Sequence, residues 1–240
     1  MTLIRKKNFV IQFVPGTFCS ILSLITLDSH LSWEFHCNKV ANKMAQNAGV
    51  LNRVKNYLPL DSRKILYHSL VSSHFTYGLE AWGSCQARYT RRMCTIQKKA
   101  IRSVSNSSWL SHSEPRMKKL GILTIQDQYH YQCAGLIFDM LNGNAPDIYN
   151  FDQEQSRNCL QNTRSASSKP ENLRLGNFSS KTSKCFSSVA PEVWNSLSNE
   201  VQKSKTKPVF KNSFKKAILS NYRKKIECKN PRCTDQRYHL

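Results

Sequence analysis

Apolar side chains return every three or four residues in several separate stretches of this chain, and that spacing most narrows what it can fold into. Val40, Met44, Ala48 and Leu51 fall on one side of a helix expected from about Glu34 to Tyr57, which Pro59 stops, because positions three and four apart share a helical face. Ile65, Leu66, Leu70, Phe75 and Leu79 mark the inward side of the next helix, and Asp61 or Ser62 is expected to cap it. After Gly83 the pattern recurs in Met93, Ile96, Ala100 and Val104. In SEPRMKKLG, Ser113 is placed to cap, Pro115 suits a first turn and Gly121 the left-handed closing position. A short extended piece, ILTI, leads to Asp127, expected to cap a helix through Tyr129, Cys133, Leu136, Ile137 and Met140 to Gly143. Helices with one apolar face need one another to bury it. The expected fold is therefore mainly α, a helical bundle with a few short strands and a C-terminal helical segment.

From Asn144 to Ser188 the periodicity fades and Ser, Asn and Gln dominate, so 144–188 is expected to be a polar linker, with NLRLGNF a possible short strand or hairpin. Helical character resumes at APEVWNSL and ends in KPVFKNSFKKAILSNYRKK, with Phe210, Phe214, Ile218 and Tyr222 inward. That makes 189–225 a C-terminal helical segment and 226–240 a basic tail. Residues 1–24 form an apolar N-terminal segment. There RKK at 5–7 precedes NFVIQFVPGTFCSILSLITL, a layout similar to a signal or anchor sequence. Gln12, the Pro15–Gly16 pair and four hydroxyl residues interrupt the run, whereas a spanning helix needs about 20 predominantly apolar residues. An intracellular protein, nuclear or cytoplasmic, is the expectation, and anchoring through residues 9–27 is the alternative. Export would make Asn106 and Asn177 glycosylation acceptors.

Charge says more about partners. The formal charge of +21 exceeds what solubility requires and points to a polyanion. Residues 34–138 hold 15 basic and 5 acidic side chains, residues 201–240 hold 12 and 2, and residues 139–200 hold 6 and 7. Two cationic regions thus flank a neutral one. The densest string is RRMCTIQKKAIRSV, residues 91–104, with five cations and no acid. Wound as a helix, it sets Arg91, Lys98 and Arg102 opposite its apolar stripe, with Arg92 and Lys99 alongside, and it spans roughly 20 Å at 1.5 Å per residue. Such a face either stays solvated or lies along a phosphate backbone. Lys215 and Lys216 add cations to the final helix. The charge leaves two polyanionic partners, a nucleic acid or an anionic membrane surface, and of these RNA or DNA held through phosphate contacts is the expected one.

Other chemistries find little support. Nine cysteines without a repeating spacing are expected to be free thiols in a reducing compartment. Cys228, Cys233 and His239 lack a nearby fourth ligand, so no metal is expected there. The strings G-x-x-x-x-G-K-[ST], H-E-x-x-H and G-x-S-x-G do not occur. The seven histidines form no ligand-like cluster, and each is expected to be structural or solvent-facing.

LDSHLSWEFHCNKVANKMAQNAGVLNRVKNYLP, LYHSLVSSHFTYGLEAWG, IQKKAIRSV, SEPRMKKLGILTIQD and PEVWNSLSNEVQKSKTKPVFKNSFKKAIL, taken together and in this order, resemble the C-terminal portion of reverse transcriptases from jockey-like, LINE-type non-LTR retrotransposons. The resemblance runs from about Ile25 to Tyr222. It implies a helical thumb-like domain over 25–143, a post-thumb segment beyond it, and a helix beside nucleic acid carrying Arg91, Arg92, Lys98, Lys99 and Arg102. Tyr77, Trp82, Leu120, Gly121 and Trp194 fall at motif positions and read as core or turn residues, base stacking by Trp82 being the minor alternative. The family is an RNA-directed DNA polymerase whose magnesium chemistry needs an adjacent aspartate pair. No Asp-Asp pair occurs in this sequence, so no catalytic residue or cofactor is expected here, and magnesium belongs only to the missing palm. The resemblance implies a fragment that binds nucleic-acid backbone without synthesising by itself, with the rest of a polymerase as a further partner. The alternative is a decayed retroelement product with no dedicated activity.

Overall fold

The computed structural model describes residues 3–6, 9–13, 19–22, 25–28, 33–145, 173 and 186–222. Four strands come first, β1 (Leu3–Lys6), β2 (Phe9–Phe13), β3 (Cys19–Leu22) and β4 (Ile25–Asp28). Helices follow: α1 (Glu34–Val54), α2 (Leu60–Leu66), α3 (Ser73–Thr76), α4 (Leu79–Trp82), α5 (Ala87–Val104), α6 (Glu114–Leu120), α7 (Ile125–Leu141), α8 (Phe186–Asn195), α9 (Asn199–Gln202) and α10 (Lys207–Asn221). A π-helical turn at Tyr67–Ser72 joins α2 to α3. The fold is mainly α with a few short strands and a C-terminal helix. The chain divides into two units, Met1–Gln126 with Leu219–Leu240, and Asp127–Ile218.

The strands form an antiparallel sheet in sequence order, with Ile11 opposite both Ile4 and Leu22, and Ile21 opposite Thr26. The described residues of 9–27, the stretch considered for anchoring, are strand residues. Among the described residues no helix is long and apolar enough to cross a membrane.

In the first unit α1 and α5 make the most extensive helix pairing. Val40, Met44, Ala48 and Leu51 of α1 are buried, as are Met93, Ile96, Ala100 and Val104 of α5, so both apolar stripes meet their expected fate. The stretch between them meets expectation at Phe75 and Leu79 and departs from it before them. Ile65 is 67% exposed, and the buried positions are Tyr67, Val71, Phe75 and Leu79, each four residues after the last. The π-helical turn explains the change, because a wider turn advances the inward face faster than a regular helix does.

Two expected caps are also corrected. Pro59, with ψ at 163°, is the entry residue of α2, which places Asp61 and Ser62 inside its first turn, where Asp61 acts on the helix dipole. Helix α7 starts at Ile125, so Asp127 lies inside it. Its first N–H is held by a side chain distant in sequence, for Ile125 N–H donates to Gln97 Oε1 at 3.1 Å. Ser113 stands at the entry of α6 without a side-chain cap bond, whereas Gly121 takes the expected left-handed closing conformation at φ 67°. Gly78 is also left-handed, at φ 59°, and a Cβ there would lie 2.5 Å from Ile25 Cδ1.

In the second unit Phe210 is fully buried, stacked on Phe138 at 4.7 Å and on Trp194 at 5.9 Å between ring centres. Lys207 pairs with the buried carboxylate of Asp139. Helix α8 begins at Phe186 and carries Pro191 inside it, so it starts before the expected boundary at 189. Of NLRLGNF, only Leu173 is described; its N–H and C=O bond the side-chain amide of Asn195, both at 2.9 Å. The rest of that string, the 226–240 tail with Cys228, Cys233 and His239, and Asn177 lie outside the described residues. Cys37, Cys85, Cys94 and Cys133 are in no disulfide bond.

Candidate nucleic-acid interface

Helix α5 shows its cations because its apolar positions are already committed. Met93, Ala100 and Val104 are fully buried and Ile96 nearly so, which leaves Arg91, Arg92, Lys98 and Lys99 exposed and Arg102 half-buried. At 3.6 residues per turn these five occupy about a third of the helix circumference. Among the described residues none of them has a carboxylate within ion-pair distance. The ion pair nearby joins Arg88, one turn earlier, to Glu34 at 3.6 Å. Glu114 lines a cleft with Arg91 and Lys98 without pairing to either.

Neutral oxygens position two of the five. Arg92 donates through Nη1 to Asn38 Oδ1 and through Nη2 to Asn42 Oδ1, both at 2.8 Å, so it leans on α1 and keeps its charge. Arg102 donates through Nε to the Ser111 carbonyl at 2.8 Å. Burial, and then repulsion from Arg116, push Arg102 below the usual arginine range. A guanidinium stays charged under such a shift, so Arg102 is a partly desolvated cation beside another cation, an arrangement that an arriving anion relieves.

A groove of about 660 Å³ runs between α1 and α5. Ala45, Ala48 and Gly49 line it from α1, and Lys55, Lys99 and Arg102 stand among its lining. The loop after α5 adds Trp109, which is 79% exposed.

Trp82, the tryptophan weighed for base stacking from the sequence, is fully buried. Its Nε1–H donates to the Tyr77 carbonyl at 3.0 Å and its ring meets His36 edge-on, so it is a core residue and cannot reach a base. Leu120 and Trp194 are likewise core, and Tyr77 is a half-exposed turn residue at the end of α3. Sequence reasoning passes over Trp109, although SNSSWL sets an aromatic in a Ser/Asn-rich loop directly after the basic helix. Lys215 and Lys216 lie on α10 in the second unit, half-buried and exposed respectively. The five residues of α5 share one face of one helix; these two belong to the other unit.

Among the described residues no group of three His, Cys, Asp or Glu side chains converges as metal ligands would. No protein-family model, curated protein or solved structure matches this chain.

Proposed function

We propose that this chain binds the sugar-phosphate backbone of RNA or DNA through α5, in the manner expected of the C-terminal part of a LINE-type reverse transcriptase, and does not synthesise nucleic acid by itself. The observation that carries the reading is the α5 face: five cations on one side of a helix whose other side is buried, with no carboxylate among the described residues paired to them. Arg91 to Arg102 spans about 16 Å, and one DNA strand carries a phosphate about every 3.4 Å of axis, so several phosphates can be met at once. Such contacts fix position and carry little sequence information. The five resembling strings add the polymerase context, with other parts of a polymerase as further partners.

Nucleotide transfer on two metal ions needs converging carboxylates. The sequence has no Asp-Asp pair and the described residues offer no such convergence, so no catalytic step is assigned to the described residues. The test is a salt series. If each of the five cations neutralises one phosphate, log affinity falls against log salt with a slope of about −3.5 on single strands and about −4.5 on duplex. Charge reversal at Lys98, Lys99 and Arg102 should abolish most of the binding. Tight binding without a salt slope, or full binding by the reversed variant, would remove the reading. Magnesium-dependent primer extension by the purified chain would overturn its non-catalytic half.

A further inference from the structure

We propose that the groove between α1 and α5 receives an unpaired base of a single-stranded nucleic acid, with Trp109 as the stacking surface and Lys99 and Arg102 holding the flanking phosphates. This rests on nucleic-acid binding by α5 and names the form of strand that α5 takes.

Three observations converge on the groove. The first is a large aromatic ring held in the open by a fixed loop. Trp109 is 79% exposed, yet the loop carrying it is tied down at both ends. Ser107 N–H donates to Arg102 O at 3.0 Å, Arg102 Nε–H to Ser111 O at 2.8 Å, and Ser111 Oγ–H to Ser108 O at 2.6 Å. A ring presented this way loses little freedom on stacking, which is the condition under which preorganisation favours binding.

The second is room beside the ring. The groove's volume of about 660 Å³ lies within the range of small-molecule sites, and α1 lines it with the small residues Ala45, Ala48 and Gly49. A Cβ added at Gly49 would meet nothing within 4 Å, so the space beside it is open.

The third is charge. Lys55, Lys99 and Arg102 line the groove, and among the described residues no carboxylate does. An apolar peptide laid there would desolvate three cations with nothing to pair them, which is costly. A nucleotide matches both parts, because its base offers a π-face to the indole and its phosphates offer charge to the rim. In a duplex the base faces are already stacked on their neighbours, so the groove can use only a strand whose bases are free.

The test uses the full chain and labelled oligothymidylate, oligouridylate and a duplex of equal length, with affinity read by fluorescence anisotropy. Trp109→Ala should weaken single-strand binding by about 5- to 100-fold, the worth of one base stacked on an aromatic ring, and leave duplex affinity and the salt slope unchanged. Trp109→Phe should recover most of the loss. Gly49→Leu, which adds an apolar side chain to the groove lining and removes no cation, should also lower single-strand affinity. An oligonucleotide lacking bases should bind the wild type no better than oligothymidylate binds Trp109→Ala. Equal loss on single strand and duplex, or unchanged binding by both Trp109→Ala and Gly49→Leu, would overturn the proposal. So would self-association of the wild type in sedimentation that Trp109→Ala abolishes, for then a second copy fills the groove. If the wild type binds neither strand form, the α5 reading falls and this one with it. If the wild type binds both forms with the expected salt slope and the groove variants bind identically, the groove proposal falls alone.

Discussion

Replacing Gln97 by leucine tests the joint that seats α5 against the start of α7. Gln97 is fully buried, and its amide serves three groups. Its Nε2 donates to Tyr67 Oη at 3.0 Å and to the Leu123 carbonyl at 2.9 Å, while Oε1 accepts from Ile125 N–H at 3.1 Å. Leucine has nearly the same volume, so the change creates little cavity and isolates the polar loss. Tyr67, Leu123 and Ile125 are all buried, and each buried group left without its partner costs about 1–3 kcal/mol. The partial gain from burying an apolar side chain offsets some of this, and an overall loss of about 3–4 kcal/mol is expected. Against a typical domain stability of about 5–15 kcal/mol that is a large fraction. In urea unfolding, at a slope of about 2 kcal/mol per molar, the midpoint should fall by about 1.5–2 M. Tyr67→Phe should cost about 1 kcal/mol in the wild type and close to nothing in the Gln97→Leu background, since the phenol has already lost its donor. A loss below about 1 kcal/mol for Gln97→Leu, or an undiminished Tyr67→Phe cost in the double variant, would refute the three-way joint.

Four further outcomes can be checked with the same protein. His36 is 3% exposed and accepts Thr26 N–H at Nδ1, and burial, with Lys39 contributing, lowers its pKa to about 4. The unfolded chain therefore takes up a proton first, and stability should fall by up to about 3 kcal/mol as pH drops from about 6.5 to about 4, with no further contribution below; chemical denaturation across that window should show the slope in the wild type and lose it in His36→Phe. Gly49 lies inside α1 with open space around its Cβ position, so Gly49→Ala should raise thermal stability by about 0.5–1 kcal/mol. Gly78→Ala should lower it by about 1–2 kcal/mol, chiefly because φ of 59° disfavours a side chain. Phe210→Ala removes the ring stacked on Phe138 and Trp194 and should cost about 3–5 kcal/mol, visible as lost near-ultraviolet dichroism.

The helices of this chain were largely legible in its residues, because burial on one face imposes a period that survives without knowledge of neighbours. Val40, Met44, Ala48 and Leu51, then Met93, Ile96, Ala100 and Val104, then Phe210 and Phe214 follow that period and are buried. So was the exposed cationic side of α5, since charges excluded from an apolar stripe have one side left to occupy. Three things were not legible. The inward face after Leu66 depends on a π-helical turn that leaves Ile65 outside, and local spacing alone does not reveal an extra residue in a turn. The start of α7 depends on Gln97, 28 positions earlier, so nearby capping residues misplace it. The groove depends on α1 and α5 lying side by side with the Trp109 loop between their ends. Apart from the face after Leu66 and the start of α7, the order and faces of the helices were thus decided locally, by the period of apolar residues. Which tryptophan is buried and which is offered to solvent was decided only by packing, because exposure is a property of what lies alongside a residue in space.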